Sequence, residues 1–243
     1  MYRKFCVVAA LLVANAVQPA TADDISVCRQ ATGDEAIAAC TRMLALNPKD
    51  ALAYGHRGGA YRVVGDYDRA ISDLDQAIRL DPKLAAAYSN RGLAYDAQGD
   101  HDRAISDLDE AVELSTRLLT QNPKDADAYA SRGAAYYGKR DYDRAISDHD
   151  DAIRLNPKSA LAYASRGAAY YSKRGYDRAI ADLDEAIRLD AKLAYAYATR
   201  GAAYEAKHDL DHAIADFDQA LKVDPSLAKV RESRDRVQAL KGR

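Results

Sequence analysis

The sequence predicts an all-α fold, a solenoid of stacked antiparallel helix hairpins. The first observation behind this prediction is a motif, Tyr-x-x-Arg-Gly-x-x-Tyr, that occurs five times in 243 residues. The second is its spacing, because successive Arg-Gly pairs lie 34, 41, 34 and 34 residues apart, and a fixed period of about 20–50 residues is typical of solenoids. The third is composition, which is rich in Ala, Leu, Arg, Asp and Lys with only six prolines and favours helix. The pairs begin at Arg57, Arg91, Arg132, Arg166 and Arg200.

Each copy of the motif predicts two helices. In the first copy Tyr54, Arg57, Gly58 and Tyr61 have spacings that place them on one face of a helix. A Gly-Asp turn follows, and Asp66 is suited to cap the second helix at its N-terminus. The second helix then carries apolar residues at helical spacing and ends at an Asp-Pro step. These residues are Ala70, Ile71, Leu74, Ala77, Ile78, Asp81 and Pro82.

The repeated pattern resembles the tetratricopeptide repeat over about residues 50–225. The matching positions of the first copy are Tyr54, Arg57, Gly58, Tyr61, Ala70, Leu74, Ala77 and Pro82. The fourth copy departs from the family at Ala191, where Pro is expected. The resemblance implies a right-handed superhelix whose first helices line a concave groove, and a protein that binds a protein or peptide rather than an enzyme. The five predicted repeats span residues 51–84, 85–125, 126–159, 160–193 and 194–226.

Charged residues occupy unusual places in the repeat. Arg stands before Gly in every copy, where the family has an apolar residue, and every second helix carries an Asp-x-Asp step. We expect a partly buried ladder of Arg–Asp pairs between the helices, in which losing one partner costs more than the pair contributes. The acidic steps are Asp73 and Asp75, Asp107 and Asp109, Asp148 and Asp150, Asp182 and Asp184, and Asp216 and Asp218.

The third copy has His149 at the large apolar position of its second helix. A core histidine that is hydrogen-bonded to a Tyr or Asp is one interpretation. A pH-sensitive joint between the helices is the other, because histidine titrates near neutral pH.

The second copy contains seven extra residues, 115–121. Seven residues make nearly two helical turns, so the predicted helix is about 10 Å longer than its counterparts. We expect Leu118 and Leu119 to continue the apolar face of Ala111 and Val112. A looped-out insertion is the alternative.

Residues 1–22 have the form of a cleavable signal peptide. Arg3 and Lys4 precede an apolar run of thirteen residues, and Ala20-Thr21-Ala22 offers small residues for cleavage after Ala22. The run is short for a membrane-spanning helix. We therefore expect a periplasmic or secreted protein with no membrane insertion after the signal is removed; an anchor that stays attached is the alternative.

Residues 23–50 fit the second half of a repeat with a shortened first helix, a truncated hairpin. Cys28 and Cys40 lie in this segment, and an even pair of cysteines in an oxidising compartment predicts a disulfide. Two small buried thiols are the alternative. At the other end, residues 227–243 predict a capping helix with an apolar stripe, for which a partner-binding amphipathic helix is the alternative. The stripe is Leu227, Val230, Val237 and Leu240.

Several classes of function have no support in the sequence. The formal net charge is −2 and no basic patch with interleaved aromatic residues occurs, so nucleic-acid binding is not predicted. No Ser/His/Asp or Cys/His arrangement and no phosphate-binding glycine loop is present. We predict no catalysis, no cofactor and no metal.

The candidate binding surface follows from the resemblance, which places certain positions of each first helix in the groove. Tyr137 and Tyr171 lie one repeat apart there, and tyrosines suit an extended or helical peptide. One subfamily grips a C-terminal carboxylate with Lys, Arg and Asn, but only Asn90 matches it. The candidate groove residues are Arg62, Ser89, Asn90, Leu93, Asp96, Ala130, Ala134, Tyr137, Ala164, Ala168, Tyr171 and Glu205.

The leading hypothesis is therefore an exported scaffold that binds a peptide segment of a protein partner in its groove. The alternative is a structural or oligomerising envelope protein that uses its convex face or its C-terminal helix. The oligomeric state is left open by the sequence.

Overall fold

The computed structural model describes residues 22–30 and 33–242, and within these ranges all regular structure is α-helical. The predicted all-α solenoid is confirmed, whereas the signal segment before Ala22 lies outside the described residues. The helices are α1 (Ala22–Gln30), α2 (Gly33–Leu46), α3 (Ala51–Val64), α4 (Tyr67–Leu80), α5 (Ala85–Gln98), α6 (His101–Gln121), α7 (Ala126–Gly138), α8 (Tyr142–Leu155), α9 (Ala160–Ser172), α10 (Tyr176–Leu189), α11 (Ala194–Ala206), α12 (Leu210–Val223) and α13 (Ala228–Lys241).

Short turns define each hairpin, and an Asp caps the second helix in every repeat except the fourth, where Gly175 stands at the cap. The Asp66 side chain accepts a hydrogen bond from the Arg69 backbone N–H, as predicted for a cap. The residue before each cap has a left-handed backbone, with φ of 87° at Gly65 and 62° at Arg174. Gly adopts this conformation freely, while a residue with a side chain is strained there by about 1–2 kcal/mol. In the last three repeats the turn residue is not Gly, so the packing of the two helices must hold it in this strained conformation. The five turn residues are Gly65, Gly99, Arg140, Arg174 and His208.

The Gly of each Arg-Gly pair brings the two helices of a hairpin into close contact. A Cβ added to Gly58 would lie 2.6 Å from Leu74 Cγ, and one added to Gly92 would lie 2.9 Å from Leu108 Cγ. Both leucines are fully buried. Any side chain at these glycines would force the helices apart and open the core.

The predicted Arg–Asp ladder is present in all five repeats. Arg166 Nε and Nη2 each donate to one oxygen of Asp182, at 2.8 and 2.6 Å, which is a bidentate pair between the two helices of one hairpin. Its Nη1 reaches back 2.6 Å to Asp150 of the preceding hairpin. The Asp-x-Asp step thus serves two arginines, its first Asp pairing within the hairpin and its second across to the next. The other bidentate pairs are Arg57–Asp73, Arg91–Asp107, Arg132–Asp148 and Arg200–Asp216.

The seven extra residues extend a helix, so the looped-out alternative is wrong. Helix α6 has 21 residues where the other second helices have 14. Since seven residues preserve the helical phase, α7 meets the usual face of α6, and Arg132 reaches back 3.3 Å to Thr116. Asp109 is displaced from the ladder and pairs instead with Lys139.

The predicted burial of the insertion is half right. Leu119 is 7% exposed and belongs to the core, but Leu118 is 38% exposed. Helix α5 begins at Ala85 and does not extend along the added turns. Leu118 therefore has no neighbouring helix on that side and borders a cavity together with Ala85.

His149 occupies the core but lacks the predicted partner. The residue is 1% exposed, and neither ring nitrogen has a hydrogen-bond partner. Its ring packs against Gly133, where an added Cβ would lie 3.0 Å from Cε1. Burial, followed by the nearby charge of Arg166, lowers the pKa of His149 to about 4.

Both ends of the array are modified repeats. The predicted disulfide between Cys28 and Cys40 is present, with a Cα–Cα distance of 4.9 Å. At the C-terminus, Arg234 lies 34 residues after Arg200, and its Nη1 is 3.3 Å from Asp218. Helix α13 therefore occupies the place of a sixth first helix, with Val237 fully buried.

The two carboxylates of one Asp-x-Asp step should differ in their effect on stability. Asp182→Ala leaves the Arg166 side chain, which is 20% exposed, without its bidentate partner, and we expect a loss of about 2–4 kcal/mol in the free energy of unfolding. Asp184→Ala is the matched control, because its side chain is 54% exposed and we expect a loss below about 1 kcal/mol. Urea unfolding followed by circular dichroism measures both. Equal losses would contradict a buried ladder.

His149 should make the protein sensitive to acid. Because the folded-state pKa is lowered from 6.5 to about 4, the unfolded chain binds a proton first as the pH falls, and stability drops by about 3 kcal/mol between pH 6.5 and 4. His149→Leu, which restores the residue of copies one, two and four, should remove this part of the pH dependence.

The measurement is the free energy of unfolding from pH 7.5 to 4. The control is His101→Gln, because His101 is exposed on the surface. If the His149→Leu curve runs parallel to that of the unsubstituted protein, the buried histidine does not bear on acid stability.

Candidate binding surface

The inner surface of the array is enclosed because its first hairpin meets its last repeats. Lys192 Nζ lies 3.3 Å from Glu35, across 157 residues of sequence. Gly33 lies against Asp224, since an added Cβ would be 2.7 Å from its Oδ2, and Asp224 is 7% exposed. The superhelix thus curls until its two ends touch, and its first helices surround an interior space.

One part of this interior is a chamber of about 1460 Å³. Its walls come from the first hairpin, from the beginnings of the first helices α3, α5, α7, α9 and α11, and from the turns between repeats. Leu52, Leu118 and Leu161 line it and are 46%, 38% and 44% exposed. Three large apolar side chains from different repeats therefore face solvent inside one enclosure.

Charged residues surround the apolar part of the chamber. Lys83, Lys158 and Lys192 come from equivalent turns between repeats, and acidic residues lie among them. His56 lines the same chamber, and burial, followed by the charge of Arg29, lowers its pKa. The chamber wall therefore offers both apolar and charged side chains to a partner.

Tyr137 and Tyr171 are half-buried and have equivalent surroundings in successive repeats. The Tyr137 ring centre is 5.6 Å from that of Tyr142, and the Tyr171 ring centre is 5.8 Å from that of Tyr176. The Tyr137 hydroxyl lies 3.3 Å from Ser172 Oγ. Burial raises the pKa of the Tyr171 hydroxyl, so Tyr171 presents a neutral ring.

The candidate residues from the sequence fall into three groups. Ser89, Ala164 and Ala168 are 2%, 1% and 3% exposed, so they form part of the core and offer no surface to a partner. Asp96 pairs with His101, and Glu205 pairs with Arg236 of the last helix. The half-buried remainder is Arg62, Asn90, Leu93, Ala130, Ala134, Tyr137 and Tyr171, of which Ala130 lines the chamber.

None of the three chamber leucines is among the groove residues predicted from the sequence. Leu52 and Leu161 occupy the second position of their first helices, where Ala86, Asp127 and Tyr195 stand in the other copies. A large apolar residue at a position that varies between copies was the available signal. For Leu118 the sequence held no such signal, because its exposure depends on where the neighbouring helix begins.

Two further searches concern the part of the chain that the structure describes. Residues 22–30 and 33–242 contain no group of three or more His, Cys, Asp or Glu side chains that could hold a metal ion. No helix in the same ranges has the length and hydrophobicity needed to cross a membrane.

Comparison with protein families agrees with the repeat geometry. Models described as tetratricopeptide repeat match residues 83–158, 132–194 and 194–227, and one described as TPR repeat matches residues 58–99. The chain belongs to the tetratricopeptide repeat (TPR) family. A search of curated protein sequences finds no relative of this TPR protein.

Solved structures with a similar fold include other TPR proteins. TTC0263 of Thermus thermophilus is 21% identical, with a TM-score of 0.60 over 78% of this chain and 99% of that one. A TPR protein of Parabacteroides merdae is 22% identical, with a TM-score of 0.57 over 84% of this chain and 77% of that one. A chain of the Cut9-Hcn1 assembly is 20% identical with a TM-score of 0.49; the match covers 82% of this chain but spans only 44% of that longer one. The first two similarities support the solenoid fold.

Family membership gives a coarse statement of function. TPR domains bind protein or peptide partners, and proteins built from them are generally scaffolds without catalytic activity. The fold of this TPR protein therefore supports a protein–protein interaction scaffold.

Proposed function

We propose that this TPR protein is an exported scaffold that binds a peptide segment of a protein partner inside its superhelix. The observation that carries the proposal is the chamber with three solvent-facing leucines on the inner surface. Exposed apolar side chains gathered in one enclosure mark a binding site, because scattered surface leucines are common but clustered ones are not.

The size of the chamber favours a peptide. Pockets for small molecules usually have volumes of about 300–1000 Å³, and this one has about 1460 Å³. Leu52, Leu118 and Leu161 belong to the first, second and fourth repeats. A partner that contacts all three must itself present several apolar side chains along its length.

Tyr137 and Tyr171 extend the proposed site beyond the chamber. A tyrosine offers a large apolar face and a hydroxyl, and it loses little conformational freedom on binding. Because their rings already pack against Tyr142 and Tyr176, both tyrosines are held in place before a partner arrives. Such preorganisation lowers the entropic cost of binding.

Export rests on the signal-like residues 1–22 and is supported by the Cys28–Cys40 disulfide. Disulfides persist in oxidising compartments such as the bacterial periplasm or the extracellular space. A truncated hairpin buries little apolar surface, so a covalent link of its two helices stabilises it where thiols are oxidised.

The interior site is tested by capture of partners from an envelope fraction. Two double variants are compared, Leu52→Asp with Leu161→Asp and Tyr137→Ala with Tyr171→Ala. Each should reduce the amount of captured partner at least tenfold. The first places carboxylates where apolar groups should bind, and the second removes two aromatic rings. Ile105→Asp is the matched control, because Ile105 is 54% exposed and does not line the chamber. Quantitative mass spectrometry measures capture.

Unchanged capture by both interior variants would contradict the proposed site. Loss of capture with Ile105→Asp alone would favour the alternative in which the outer surface makes the contact.

Export is tested by cell fractionation and N-terminal sequencing of the mature chain. We expect the protein in the periplasmic or secreted fraction with Asp23 as its first residue, and we expect Ala22→Leu to block cleavage because the peptidase requires a small residue. A full-length chain starting at Met1 and retained in the membrane fraction would instead support an attached anchor.

A further inference from the structure

Arg62 differs from the ladder arginines in having no carboxylate partner. It lies in the last turn of α3, and its Nε donates a hydrogen bond of 3.0 Å to Asn90 Oδ1. Among the described residues its side chain makes no ion pair and no other hydrogen bond, and its guanidinium stacks on no aromatic ring. Its Nη1 and Nη2 groups are thus four N–H donors without an acceptor in this structure.

The surroundings of Arg62 contain hydroxyls rather than acids. Tyr67, Tyr137 and Tyr195 lie within electrostatic range of its guanidinium, and no Asp or Glu does so to a notable degree. The side chain is half-buried by surface area, and burial is the main cause that lowers its pKa. No ion pair with a described residue accounts for an arginine at this position.

Asn90 fixes the direction of the guanidinium. Its Nδ2 donates 2.9 Å to the carbonyl oxygen of Ala86, which orients Oδ1 toward Arg62 Nε. Once Nε is occupied, Nη1 and Nη2 remain for an incoming group. Two adjacent guanidinium nitrogens match the two oxygens of a carboxylate, which is the geometry of strong bidentate pairs.

The position of Arg62 relates it to the chamber. His56 lines the chamber and lies six residues earlier on α3, which is about 9 Å along the helix axis. Ala86, the carbonyl partner of Asn90, also lines the chamber. An extended peptide covers about 9 Å in roughly three residues. One bound segment can therefore contact both the His56 side of the chamber and Arg62.

We propose that Arg62 binds the side-chain carboxylate of an Asp or Glu in the partner peptide, about three residues from an apolar side chain that enters the chamber. This inference rests on the proposed function, since it assigns a chemistry to the same interior site. Tyr137 and Tyr195 lie within electrostatic range of Arg62, and burial raises the pKa of the Tyr195 hydroxyl. Recognition of a side chain here differs from capture of a chain terminus, because the lysines that the terminus-binding subfamily uses have no match at the corresponding groove positions.

The test is selection of peptides from a phage-displayed library of random dodecapeptides on immobilised protein. The unsubstituted protein should select sequences in which Asp or Glu stands about three residues from Leu, Ile, Val or Phe. Arg62→Gln should select sequences with the apolar residues but without the acidic one. The control is Arg79→Gln, because Arg79 is exposed on α4, and it should select the same sequences as the unsubstituted protein.

A double-mutant cycle then quantifies the pair. The selected peptide, amidated at its C-terminus and labelled with fluorescein, should lose about 10–100-fold in affinity for the unsubstituted protein when its acidic residue becomes Gln or Asn. The same change should alter affinity less than twofold on Arg62→Gln. Amidation removes the terminal carboxylate, so a peptide that binds only with a free C-terminus contradicts side-chain recognition.

Thermal unfolding separates binding from folding. Arg62→Gln should melt at nearly the same temperature, because it breaks no ion pair. Arg62→Lys should keep the acidic preference with lower affinity, because lysine lacks the planar fork. Peptides selected without an acidic residue, or the same acidic preference on Arg62→Gln, would overturn the inference and leave the interior site standing. If no peptide is selected, the proposed function itself is wrong.

Discussion

The fold depends on the repeated ladder arginine, which joins three helices. It lies on the first helix of a hairpin, pairs with the second helix of the same hairpin, and reaches the second helix of the hairpin before it. Each ladder arginine makes a bidentate pair within its own hairpin and, in most repeats, one further bond to an Asp of the hairpin before it. Solenoids are stabilised by contacts between neighbouring repeats, and here a directional, charge-assisted contact adds to apolar packing. Burial of the charges costs free energy, which the bidentate geometry offsets. The ladder therefore fixes the register between hairpins as well as within them.

Structural features that depend on short spacings along the chain can be predicted from the sequence. The helix pairs, their caps and the ladder follow from residues 3, 4 or 16 positions apart, and the added helical turns follow from the length of seven residues. His149 shows the limit, because its position predicts burial but its lack of a partner depends on side chains from other helices. Leu118 shows another, since its exposure is set by the start of α5.

The candidate site could be predicted only in part. The sequence pointed to Tyr137 and Arg62, yet the chamber exists because the two ends of the array meet, and a contact such as Glu35–Lys192 has no local signal. The positions that the family resemblance assigns to the groove were too many, because Ser89 and Ala164 are buried in this array. Arg62 and Arg57 are five residues apart and chemically identical. Only the surroundings show that one is paired and the other has no counter-ion.

The contact between the first hairpin and the fifth repeat also constrains how this protein can evolve. Open solenoids gain or lose repeats readily, since a new unit needs only a neighbour on each side. In this array Glu35 must reach Lys192, and Gly33 must fit against Asp224. Adding or removing one hairpin would move Glu35 away from Lys192 and Gly33 away from Asp224, and the interior would open. Substitutions on the inner wall can change binding preferences and leave both contacts in place, whereas a change in repeat number disturbs both.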